Sequence, residues 1–115
     1  MTTFLGVHDE VDDHIIDLVS RGYDVRLVRA GLDKASVLNA FAEGLGFPDW
    51  FGHNWDALVD ALRDLTNDDE RRIELVWDHV RELRQTAPKT YESALEVLEQ
   101  VADERPDLHL TVIDR

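Results

Sequence analysis

At 115 residues, 43% of them hydrophobic, the chain suits one domain with a buried core and is too apolar for disorder. Twenty-five Asp and Glu stand against twelve Lys and Arg, a net charge of −13 that works against nucleic acid or anionic lipid and favours a basic partner. The absence of cysteine excludes disulfides, thiolate catalysis and cysteine-ligated zinc, and suits a reducing cytoplasm.

The chain opens MTTFLGVHDEVDD, with neither a basic leader nor an apolar run, so it reads as free of a secretory signal. No later run approaches the roughly 20 apolar residues a bilayer span needs, so a cytoplasmic protein without membrane contact is expected. From Asp9 to Ser20 the spacing of Val11, Ile15, Leu18 and Val19 predicts an amphipathic helix ended near Gly22. His14, beside Asp13 and Asp17, reads as a surface residue. Tyr23 to Ala30 (YDVRLVRA) alternates as a strand, with Tyr23, Val25 and Leu27 on one parity. Asp33 suits the N-cap of a helix to about Glu43, with Val37, Leu38 and Phe41 apolar and Gly44 and Gly46 beyond.

A loop from Gly46 to His53 follows, and Asn54 suits the cap of a second helix, Trp55 to about Leu65, with Leu58, Leu62 and Leu65 on its core face. After a polar connector, Thr66 to Arg71, come a strand at Arg72–Trp77 (RIELVW) and a short helix at Asp78–Gln85. Pro88 opens a longer helix with Tyr91, Leu95, Leu98 and Val101 inward; Pro106 ends it, and His109–Ile113 (HLTVI) is a last strand. Strands alternating with helices imply crossovers and a parallel sheet. The expectation is a small α/β fold: one domain over residues 1–115, a three-stranded parallel sheet packed by helices, and an extra N-terminal helix within residues 1–22.

The informative stretch is GFPDWFGHNWDALVDALRDL, Gly46 to Leu65. Asp56 and Asp60 lie four apart on the second of these helices and Asp64 continues the row. Asp56, in the first turn, is favoured by the helix dipole, whereas like charges at this spacing repel. A cationic partner offsets that cost. By itself such a row is a common solvated face. Trp50, Phe51 and Trp55 fit a core role as well as a contact role, Trp55 by its spacing with Leu58 and Leu62.

In order the segment reads Pro48, Asp49, Trp50, Phe51, Gly52, His53, Asn54, Trp55, Asp56, Ala57, Leu58, Val59, Asp60. It resembles the barstar signature: Pro, an acid, two aromatics, Gly, a polar residue, Asn, an apolar residue, Asp-Ala-Leu, one residue, Asp. Weaker similarity runs from Tyr23 to Ile113 in the order of strands and helices, with Met1 to Gly22 as an addition.

The resemblance implies tight inhibition of a secreted guanyl-specific ribonuclease inside the cell that makes it, by a one-to-one complex and without catalysis, metal or cofactor. It places the binding surface on the second helix, its preceding loop and the end of the last helix. Asp56 is then the motif's first aspartate, Asp60 its central anion, Trp50 the stacking aromatic, Gly52 the loop glycine and Asn54 the helix-start asparagine. Three positions depart from the pattern. Val59 stands at a tryptophan; Gln100 stands at a partner-contacting glutamate of the last helix, though Glu104 keeps an acid one turn on; and His53 replaces a loop acid. These departures leave room for an immunity protein or antitoxin against a different toxin nuclease, or for an acidic adaptor that blocks no active site.

An enzymatic reading finds little to build on. His53 lies three residues before Asp56, but no third metal ligand is evident, and His79 and His109 have no obvious partners. No Gly-rich phosphate loop, G-x-S-x-G elbow or H-E-x-x-H appears.

Overall fold

The computed structural model describes residues 2–49, 51–66 and 70–115. In chain order these form β1 (Thr2–Gly6), α1 (Val11–Ser20), β2 (Asp24–Arg29), α2 (Lys34–Leu45), α3 (Trp55–Arg63), β3 (Ile73–Asp78), α4 (Arg81–Thr86), α5 (Pro88–Glu104) and β4 (Leu108–Asp114). The sheet is parallel throughout, in the order β1-β4-β3-β2.

The α/β class and the parallel sheet match the sequence reading, but the sheet has four strands, not three. The N-terminal addition is a strand and a helix. Thr2–Gly6 is only five residues long, and its register against Leu110–Asp114 of β4 makes it a strand. So short a run carries no signal of its own, because strand preference depends on what it packs against.

The inner strand β3 explains the asymmetry of the core. Every residue of β3 is buried, as expected where a parallel sheet is covered on both faces. Ile73, Leu75 and Trp77 join Val28, Leu108, Leu110 and Val112 in the main cluster, which also holds Phe41, Leu58, Leu62 and Leu98 from α2, α3 and α5. On the opposite face Val76 and Ile113 meet only Val11 of α1, with Leu5, Ile15 and Val25 half-buried around them. The alternation in β2 therefore points its apolar parity at the thinner layer. Leu27 is 53% exposed, while Val28, which breaks the pattern, enters the main core.

Local chemistry sets the helix ends. Asp33 accepts the Ser36 backbone N–H at 2.8 Å and donates its own N–H to Ser36 Oγ at 3.0 Å, a closed capping box. A Cβ on Gly31 would fall 2.6 Å from backbone atoms of Ser36 and Val37, so this approach to α2 requires glycine. α2 runs through Gly44 to Leu45 and stops at Gly46, whose φ of 69° is the left-handed cap conformation.

The fourth helix starts later than its sequence suggests. Asp78 pairs with Arg29 as the last residue of β3, and His79 has a φ of 63°, which no right-handed helix accommodates. α4 therefore begins at Arg81. His14 is half-buried, with its Nε2 shielded from solvent, so it is not the surface residue its acidic neighbours suggested.

Candidate functional site

The loop between α2 and α3 is shaped by its own bonds. Phe47 donates its N–H to Ala42 O, and Phe51 donates its N–H to Pro48 O at 2.9 Å, folding the chain back. The Phe47 and Phe51 rings then lie 5.1 Å apart, and Phe51 is buried in the main core. Of the two loop aromatics, Phe51 is thus a core residue. Trp50 lies outside the described residues.

Asn54 joins the loop to the helix. Its Oδ1 accepts the Ala57 N–H at 2.8 Å, and its Nδ2 donates to Gly52 O at 2.9 Å. One side chain therefore caps α3 and fixes Gly52 beside it. His53 has a left-handed φ of 38°, places Nδ1 3.0 Å from Phe51 O, and lays its ring 5.0 Å from that of Phe51. His53 is exposed but committed to this turn.

Leu58 and Leu62 anchor α3 in the core, and Trp55 packs half-buried beside them with Lys34 Nζ 5.7 Å from its ring centre. This docking turns Asp56, Asp60 and Asp64 outward; all three are exposed. The Asp60 side chain is 78% exposed and makes a long ion pair with Arg63 Nη1 at 3.9 Å. Val59 is half-buried against the core. The tips of the acidic row therefore stand in solvent, with Asp60 held only by that long ion pair.

The end of α5 reaches the same surface through a residue that sequence reasoning missed. Arg63 donates from Nε and Nη2 to the two oxygens of Glu104, both at 2.7 Å, and Gln100 Nε2 lies 3.4 Å from Glu104 Oε1. Gln100 and Glu104 thus adjoin the α3 row, but Glu104 arrives already paired. Hydrogen bonding to Arg63 holds the Glu104 carboxyl below its ordinary value and raises the Arg63 guanidinium. The two residues are 41 positions apart, and no sequence signal joins them.

Two further polar clusters lie away from this face. The wholly buried Glu74 meets His109 Nδ1 at 2.7 Å and pairs with Arg72, while His109 Nε2 lies 3.1 Å from Thr3 Oγ1. Asp78, also buried, accepts Arg115 Nε at 3.0 Å and Nη2 at 2.9 Å, with His79 Nδ1 3.1 Å away. His79 and His109, which the sequence left without partners, both have them.

Among the described residues no group of three or more His, Asp and Glu is arranged to hold a metal ion, and no helix is long and apolar enough to cross a membrane.

No curated protein matches the chain. The family model Barstar (barnase inhibitor) matches residues 26–113, leaving out β1 and α1 but taking in the α2–α3 loop, the acidic row and the Arg63–Glu104 contact. That match, over most of the chain and the whole of this surface, shows that the chain belongs to the barstar family, whose members are inhibitors of ribonucleases rather than enzymes.

Proposed function

We propose that this chain inhibits a guanyl-specific ribonuclease in the cytoplasm of the cell that makes it, by setting helix-borne carboxylates where RNA phosphate would lie. A ribonuclease site aims Arg, Lys and His groups at phosphate oxygens, and a carboxylate on a rigid element satisfies the same donors. Asp60 takes the phosphate position and Asp56 bridges neighbouring cations. Trp50, Gly52 and His53 border the cleft, and Asn54 holds the loop and helix in register. Val59, Gln100 and Glu104 fill the flank.

The observation that carries this reading is the 78% exposure of Asp60 on a helix otherwise pinned by Leu58, Leu62 and the Asn54 cap. A charge presented on a preorganised element loses little entropy on binding.

The test is RNA cleavage by barnase, titrated with the chain. Cleavage is expected to fall in proportion to added protein and to stop at an equimolar ratio. Asp60→Ala is expected to lose about 2–5 kcal/mol of affinity, a range to which barnase and barstar themselves contribute. If Asp60→Ala inhibits as well as the parent, the assignment of Asp60 fails.

A second reading, an immunity protein against a different toxin nuclease, is favoured by the same face. Arg63 neutralises Glu104 there, while Val59 and Gln100 remove an aromatic and an acid that the family pattern has. Full activity of barnase beside loss of another nuclease's activity selects this reading.

A further inference from the structure

Beside the acidic row lies an open cavity of about 550 Å³ between α3, the end of α2 and the loop joining them. Its walls are Phe47, Phe51, Ala57 and Ala61, and its rim carries Asp60 and Asp64. Asp64 is the C-cap of α3, where a carboxylate faces the negative end of the helix dipole and sits one turn from a like charge. Its backbone N–H donates to Asp60 O, but among the described residues no side chain bonds to its carboxylate or pairs with it. Among the described residues nothing offsets this placement.

Among the described residues the one cation on the wall is Arg26, and it is matched locally: its Nε and Nη2 donate to the Asp24 carboxylate at 2.8 Å each. The pocket therefore carries the carboxylates of Asp64 and of Asp60, the latter offset only by Arg63 at 3.9 Å, beside aromatic rings and alanine methyls. That combination fits one kind of side chain, a planar cation on an apolar stem.

We propose that this pocket receives an arginine side chain of the bound nuclease, its methylenes against Phe47, Phe51, Ala57 and Ala61 and its guanidinium between Asp60 and Asp64. The inference rests on the ribonuclease-inhibitor reading and adds to it a second anchor, which makes Asp64 a specificity-determining residue. An anchor filling a pocket beside a central charge is how interfaces concentrate their affinity.

The test needs no cognate enzyme. The ¹⁵N-labelled chain is titrated with N-acetyl-arginine methylamide and, separately, with its neutral isostere N-acetyl-norleucine methylamide, reading amide shifts. Saturable shifts confined to the amides around Phe51, Ala57, Ala61 and Asp64 are expected with the arginine amide alone. They should weaken in Asp64→Asn and vanish in Ala61→Leu, which fills the pocket from a half-buried position; thermal melting checks that each variant is folded. Equal responses to the two amides, shifts spread evenly over the acids of α1 and α5, or no shifts at all overturn the proposal. In the cleavage assay, Ala61→Leu is expected to weaken inhibition roughly tenfold or more, the scale of a lost anchor. If Asp60→Ala weakens inhibition but the pocket variants do not, the pocket inference fails alone. If the chain inhibits no ribonuclease while the amide titration succeeds, the inhibitor reading fails and with it the nuclease as the source of the arginine, while the arginine pocket itself stands.

Discussion

Arg63 on α3 grips Glu104 on α5 through two parallel hydrogen bonds of 2.7 Å, so the helix bearing the acidic row and the end of the last helix form one surface. The pair also removes one acid from the attraction exerted on a basic partner. Among the described residues Asp56 stays unpaired, and Asp60 keeps only a 3.9 Å contact with Arg63 while 78% exposed.

Replacing Arg63 with Ala releases Glu104 and makes the face more negative by one charge. Association with barnase, followed by stopped flow across ionic strengths, is expected to become faster at low salt and more steeply salt-dependent. Slower association at every ionic strength would mean that Arg63 itself touches the partner. Because Arg63 holds the Glu104 carboxyl below its ordinary value, the pair should persist on acidification past the usual carboxylate range.

Asn54→Ala removes the α3 cap and the hold on Gly52 together. A loss of about 1 kcal/mol is expected in urea denaturation, the usual cost of an N-cap. Faster amide exchange should appear at Asp56 and Ala57, whereas Asp56→Ala and Asp60→Ala leave exchange and melting temperature close to the parent's. Unchanged exchange in Asn54→Ala would contradict the cap's role in fixing the loop.

His109→Ala strips the buried Glu74 of one partner and unhooks Thr3 of β1. A destabilisation of about 1–3 kcal/mol is expected from the unsatisfied buried carboxylate. Hydrogen exchange should rise at β1 before the other strands. If β1 keeps its protection, the Thr3 link contributes nothing to holding the added strand.

Acid stability depends on Asp78. Burial pushes its carboxyl up, but the Arg115 hydrogen bonds, the neighbouring His79 and the His79 backbone N–H together hold it below its ordinary value. The unfolded chain then binds more protons at low pH. The stabilisation is full above the ordinary aspartate value of about 3.9 and is lost as pH falls through the lower folded value. Asp24, held down by Arg26, and Asp107, held down by Arg105, act in the same direction. Arg115→Ala leaves burial unopposed by its main counter-ion, so the acid limb of the stability curve should move to higher pH. Urea denaturation from pH 2 to 7 measures it, and an unmoved limb refutes the assignment.

Much of the helical frame was legible because its signals are local. Asp33 and Asn54 cap the helices they precede, Gly46 ends one, Pro88 opens another, and the leucine spacing of α3 turns Asp56 and Asp60 outward without reference to any other segment. The order of the family signature lies in the same continuous stretch. The fourth strand was not legible, since Thr2–Gly6 becomes a strand only by pairing with residues more than a hundred positions away. The start of α4 was missed because the register of Asp78 against Arg29 overrides its own preference.

What the sequence alone determined, then, is the class of fold, the helix that carries the acids and which way they face, because capping and helical periodicity are decided within a few residues. Only the tertiary structure decided that Phe51 belongs to the core, that Glu104 comes paired to Arg63, and that Asp60 and Asp64 rim an apolar pocket. Each of those facts is a contact between segments far apart in the chain, and burial and ion pairing depend on distances in space that residue order does not encode.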